Sequence, residues 1–128
     1  MDIHLQAPTR FTISDFEDEE LNIREDSPAL YFSALTMWVA ALARCTYAVL
    51  EIYGHRFGAD SRSVEIAMSW EYAENPTRFS KIEMDIYWPT LPEKRRSAVE
   101  RAAQHCTIHN TIHDCVEVVT TVRVGEEG

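Results

Sequence analysis

Leu35-Thr36-Met37-Trp38-Val39-Ala40-Ala41-Leu42-Ala43-Arg44-Cys45-Thr46 lies inside a longer apolar stretch, Ala29 to Leu50, in which Arg44 is the one formal charge. Ser27-Pro28 ahead of it supplies a capping hydroxyl and a proline that suits the first helical turn, and Gly54 beyond it offers a stop. The pattern predicts a helix from Ala29 to about Gly54. A helix that is apolar nearly all round must be covered on most sides. Its length approaches that of a membrane span, but Ser33, Thr36, Arg44 and Thr46 interrupt it and no basic cluster flanks it. The sequence therefore favours a central core helix wrapped by strands or by a second subunit, with no membrane as partner.

The strands are found on both sides of it. Val64, Ile66, Met68, Trp70 and Tyr72 alternate with Glu65, Ala67, Ser69 and Glu71. After the turn-forming Ala73-Glu74-Asn75-Pro76, Ile82, Met84, Ile86 and Trp88 alternate in the same way. Period two predicts an antiparallel hairpin with one buried face. Val116, Val118, Thr120, Val122 and Val124 share one parity and predict a last half-buried strand before a polar tail. Ile3 to Ile13 reads as two short extended pieces broken at Ala7-Pro8, since proline cannot donate to a ladder. Thr90 and Glu93 fit a capping box, and Val99, Ala102, Ala103 and Cys106 then recur at helical spacing, so one helix should carry Cys106 inward near its end. The fold class expected is α+β, as a single domain over residues 1–128.

Charge excludes some functions. The net charge is −9 and the acid groups are spread along the chain, so nucleic acid and anionic membranes are repelled. The run Asp15 to Glu20 and the basic cluster Lys94-Arg95-Arg96 read as solvated surface. Met1 to Leu5 lacks a basic segment and a cleavage site, which points to a cytoplasmic protein. Three cysteines cannot all pair within one chain, and in a reducing compartment they are free, metal-bound or redox-active.

Cysteines on apolar helix faces are most often inert core residues. Redox chemistry requires a thiolate, held by a nearby cation, and a second thiol to resolve the sulfenic acid as a disulfide. Arg44 is not that cation for Cys45, because consecutive helical residues point about 100° apart. Trp38, Trp70, Phe32 and Tyr47 are core aromatics first, some of which could line an apolar ligand pocket.

Two segments resemble the family of osmotically inducible protein C and the organic hydroperoxide resistance proteins. Leu35 to Thr46 is similar to the family's central-helix signature, an Ala- and Leu-rich run ending in Cys-Thr. Cys106-Thr107-Ile108-His109-Asn110-Thr111-Ile112 is similar to the segment carrying its second cysteine. The resemblance covers roughly Ser27 to the last strand. It implies an intertwined α+β homodimer whose sites pair Cys45, as the peroxidatic thiol, with Cys106, as the resolving one. It also implies reduction of a small organic hydroperoxide to an alcohol, regeneration by a dithiol reductant, and no cofactor or metal. Where the family's peroxidases place a glutamate that holds an activating arginine, this chain has Leu35 and Thr36, and no Gly-Gly-Arg segment precedes the helix. Arg10 and Arg24 are the candidates for the activating cation, and Thr36 and Trp38 for substrate contacts. A non-catalytic dimer binding a small apolar ligand is the alternative. His105, Cys106, His109 and His113 could share a helical face and bind zinc, but the family segment accounts for Cys106, His109 and Asn110 without metal. Cys115 reads as a plain buried or exposed thiol, with a disulfide to Cys106 as the other option.

Overall fold

The computed structural model describes residues 1–125. The chain forms β1 (Asp2–Ala7), β2 (Arg10–Ser14), β3 (Asn22–Glu25), α1 (Ala34–Phe57), β4 (Glu65–Ala73), β5 (Arg78–Trp88), a 3-10 turn (Glu93–Arg95), α2 (Arg96–Ala103), α3 (Thr107–Ile112) and β6 (Glu117–Val124). The six strands make one mixed sheet in the order β3-β1-β2-β4-β5-β6. Its two outer pairings, β1 with β3 and β5 with β6, are parallel, and the inner ones are antiparallel. The expected α+β class is what the structure shows. The polar tail after β6 begins at Gly125 and otherwise lies outside the described residues.

Alternation decides which sheet face is covered. Ile66 stands opposite Ile86, Met68 opposite Met84 and Trp70 opposite Ile82, and all six are buried. Ile3, Leu5, Phe11, Ile13 and Val122 extend the same core, to which α1 adds Val39, Leu42, Ala43, Tyr47 and Leu50. Each such side chain taken out of water contributes about 1.5–3 kcal/mol, so this face outweighs local propensity in setting register. Trp88 is fully buried at the far end, and its indole N–H donates to the Asp60 carbonyl at 2.9 Å.

Four sequence expectations about the helices are corrected. The helix does not begin after Pro28, where Ser27 closes a turn by accepting the Leu30 N–H at 3.0 Å. Ser33 is the cap instead, its Oγ accepting from the Thr36 N–H at 3.2 Å. Gly54 does not stop the helix. It lies inside, where a Cβ would meet the Ala59 carbonyl oxygen at 2.6 Å and the Trp88 ring at 3.1 Å, and Gly58, at φ +73°, ends it. Thr90 does not cap either, since its hydroxyl donates to Asp60, and the single helix expected to carry Cys106 is broken at Gln104 and His105 into α2 and α3.

β3 had no forecast. All four of its residues are exposed, so no alternation marks it. Polar contacts tie it beside β1: the Asn22 side-chain amide donates to the Asp2 carboxylate at 3.1 Å, and His4 Nε2 lies 2.6 Å from Asp26 Oδ1 just beyond the strand. The acidic run is exposed as expected, except that Phe16 is buried. In the basic cluster, Arg95 lies over the Phe57 ring and Arg96 pairs with Glu93.

Candidate functional site

Cys45 sits half-buried on the outer side of α1, and Cys106 is sealed inside with 1% of its surface exposed. The two side chains approach to 3.5 Å although sixty-one positions separate them in the chain. Cys106 is placed by the break between α2 and α3. Its backbone is extended, and its Sγ caps α3 by accepting the His109 N–H at 3.3 Å. From the other side Thr46, fully buried, directs its hydroxyl at Cys106 Sγ across 3.7 Å while lying 3.0 Å from the Leu42 carbonyl. Burial pushes the Cys106 thiol above its ordinary pKa. The two donors oppose that push in part, and the neighbouring Cys45 adds to it.

His109 is buried, and its Nδ1 has no hydrogen-bond partner among the described residues. Burial, with His113 and His105 nearby, depresses its pKa and keeps the imidazole neutral. His105 stands in the break before α3 and His113 follows its end, paired with Asp114, so the three imidazoles do not share the continuous helical face that the zinc reading required. No group of three or more His, Cys, Asp or Glu suited to a metal occurs among the described residues. Cys115 is exposed and free, two residues before β6, and it is Cys45 that adjoins Cys106.

The other predicted site residues are not brought to this pair within one chain. Arg10 faces Ser69, which alternates with the buried Met68 and Trp70, and Arg24 faces His4, which alternates with the buried Ile3 and Leu5. Both side chains therefore emerge on the sheet face opposite α1. Arg44 turns away from Cys45, its guanidinium 5.4 Å from the Tyr47 ring centroid. Thr36 pairs its hydroxyl with Ser33 at 3.1 Å and lines a cavity of about 190 Å³ with Leu5, Ala7, Pro8, Leu30 and Tyr31. Trp38, two residues on and so some 200° around the helix, stacks on Phe79 with centroids 4.6 Å apart. Trp70 and Tyr47 are core residues, and Phe32 is half-buried.

Sequence reasoning missed Thr46 and the backbone N–H of His109 as partners of the second thiol. Thr46 was visible as the residue after Cys45, but the α2–α3 break that aims Cys106 at it leaves no periodic mark.

A long core helix on a mixed sheet, with a thiol on its outer turn and a second thiol delivered by the crossover before the last strand, defines a class of paired-cysteine α+β proteins. Residues 26–121 match the family model for OsmC-like proteins, and the chain belongs to that family. Its fold is similar to a candidate osmotic stress induced and detoxification response protein from Psychrobacter arcticus 273-4, with a TM-score of 0.68 and 16% identity over 94% of this chain and 93% of that one. It is also similar to a candidate redox protein from Lactobacillus casei ATCC 334, with a TM-score of 0.62 and 13% identity over 94% and 93%. A hypothetical protein from Aquifex aeolicus VF5 gives 0.63 and 13% over 72% and 73%. No curated protein matches the sequence.

Proposed function

We propose that this OsmC-like protein reduces organic hydroperoxides through a Cys45/Cys106 thiol pair, as a cytoplasmic homodimer regenerated by a dithiol. The observation that carries the reading is the 3.5 Å approach of the two cysteine side chains at the junction of α1 and α3. Attack of the Cys45 thiolate on the terminal oxygen of the peroxide breaks the O–O bond, releases the alcohol and leaves a sulfenic acid. Cys106 then displaces water to form the disulfide, which two electrons from a dithiol return to thiols.

The dimer is supported by the outer side of α1. Leu35, Trp38, Ala41, Cys45, Ala48 and Ile52 recur three or four residues apart along it and are exposed or half-buried. A contiguous apolar seam of this kind marks a contact surface. A second copy laid on it covers the apolar side chains on either side of Cys45.

The second reading is a non-catalytic dimer that binds a small apolar ligand. It is favoured by Thr36, whose hydroxyl is engaged with Ser33 and which cannot anchor an arginine with negative charge. The cavity beside Thr36, walled in part by Leu5, Pro8 and Leu30, is the binding place that this reading offers.

Loss of cumene hydroperoxide, followed with reduced protein and a dithiol, separates the two. Turnover that vanishes in Cys45→Ser and falls strongly in Cys106→Ser is the expected result. Wild-type protein no faster than Cys45→Ser overturns the peroxidase reading in favour of the ligand-binding one.

A further inference from the structure

The two sulfurs differ in ways that the paired-thiol reading leaves unused. Cys106 is enclosed by its own chain, with Thr46 and the His109 N–H against its sulfur. Cys45 lies half-buried on the outer side of α1 while Cys106 is sealed, and any opening that admits an oxidant to Cys45 admits a reductant, so a Cys45–Cys106 disulfide is reached from the Cys45 side. In thiol–disulfide exchange the outcome depends on which sulfur is accessible and on how well the departing thiolate is stabilised. Both conditions select the same direction here. A thiolate appearing on Cys106 meets one backbone N–H already aimed at it and one hydroxyl that can turn to it. In the reduced protein the one Thr46 hydrogen has two acceptors within reach, the Leu42 carbonyl at 3.0 Å being the nearer. Rotation about the Cβ–Oγ1 bond redirects it to Cys106 Sγ at 3.7 Å, without movement of heavy atoms, once that sulfur carries charge.

We infer that regeneration is directional: the reductant thiolate attacks Cys45, Cys106 departs as the thiolate, and the Thr46 hydroxyl together with the His109 N–H receives its charge. The inference rests on Cys45 and Cys106 forming a disulfide, though not on the oxidant being a peroxide. In the first step a bond forms between the reductant sulfur and Cys45, the Cys45–Cys106 bond breaks, and its electron pair passes to Cys106. In the second step the other thiol of the dithiol, as thiolate, attacks the reductant sulfur joined to Cys45. It releases the Cys45 thiolate and closes the reductant's own disulfide. Two electrons have passed to the protein, and its thiolates take their protons from solvent. Thr46 is thus a catalytic residue of the reductive half-reaction.

The test uses protein carrying Cys115→Ser, which removes the exposed third thiol. The pair is oxidised with diamide, so that no peroxidase activity is needed. The product is exposed briefly to glutathione, quenched in acidic denaturant with N-ethylmaleimide, and mapped by mass spectrometry. Glutathione on Cys45 with maleimide on Cys106 is expected, and the reverse placement overturns the direction. Failure of diamide to link the two cysteines overturns the inference as well. Thr46→Val should slow reduction by dithiothreitol about tenfold, as one charge-assisted hydrogen bond is lost, while Thr46→Ser restores the rate. A valine variant reduced at the wild-type rate removes Thr46 from the mechanism. Normal disulfide formation and glutathione placement without cumene hydroperoxide turnover would instead refute the peroxidase proposal and leave this one standing.

Discussion

Gly54 and Trp88 are packed so closely that the indole ring lies where a side chain on residue 54 would begin, 3.1 Å from an added Cβ. The Ala59 carbonyl oxygen closes the same space at 2.6 Å. Alanine is the better helix former by about 1 kcal/mol, yet forcing a methyl group against a fully buried tryptophan and a backbone oxygen costs about 1–3 kcal/mol. Gly54→Ala should therefore destabilise the protein despite its helical position, by about 1 kcal/mol and at most about 2 kcal/mol in urea unfolding. A variant as stable as wild type would mean that α1 can shift away from Trp88.

Phe16 supports the same helix from the acidic loop. Its ring lies flat on Tyr47, with centroids 4.3 Å and planes 4° apart, while the Tyr47 hydroxyl donates to Glu17 at 3.2 Å. Phe16→Ala removes a buried aromatic and should cost about 3 kcal/mol. The acidic residues beside it are exposed, so Glu19→Gln should change stability by less than about 0.5 kcal/mol. Thermal unfolding of both variants checks the contrast.

His109 provides a pH signature. Its folded pKa is depressed below the ordinary 6.5, so the folded state resists protonation that the unfolded chain accepts. The associated stability is complete above about pH 6.5 and is lost as pH falls from there through the folded value. The acid-side decline in unfolding free energy should be shallower in His109→Gln than in wild type. Parallel pH profiles for the two proteins would show that His109 titrates normally.

Ile52 tests the seam on α1. Its side chain is 64% exposed in the single chain, so Ile52→Glu leaves the intramolecular core untouched. Sedimentation should find wild type dimeric and the variant monomeric or much weaker in association, with unchanged far-ultraviolet circular dichroism. A monomeric wild type would refute the dimer.

The sequence was most readable where burial imposes a period. Ile66 to Trp70 and Ile82 to Trp88 announced the central hairpin because every second residue had to enter the core. The cysteines were readable through their surroundings, an Ala- and Leu-rich run before Cys45 and a polar segment after Cys106. Helix ends were less so. Ser27-Pro28 and Ser33 are both chemically fit to start α1, and only packing chooses between them. The turn at Gln104-His105 was hidden because Ala103 and Cys106 keep helical spacing across it. β3 was invisible because nothing in it is buried, and the place of its Arg24 beside His4 does not follow from local pattern, since strand pairing decides it.

The parallel alignment of β6 with β5 has a consequence for how the thiols meet during folding. A parallel neighbour cannot be reached by a tight turn, and the crossover that reaches it carries Cys106. Cys106 is held under α1 only once this long loop has closed, and contacts of such sequence separation form slowly. The hairpin of β4 and β5 can assemble beforehand with Cys45 unaccompanied. Docking of β6 thus acts as a checkpoint: the redox pair comes into being with the completed sheet, and a chain stalled short of that point holds separate cysteines.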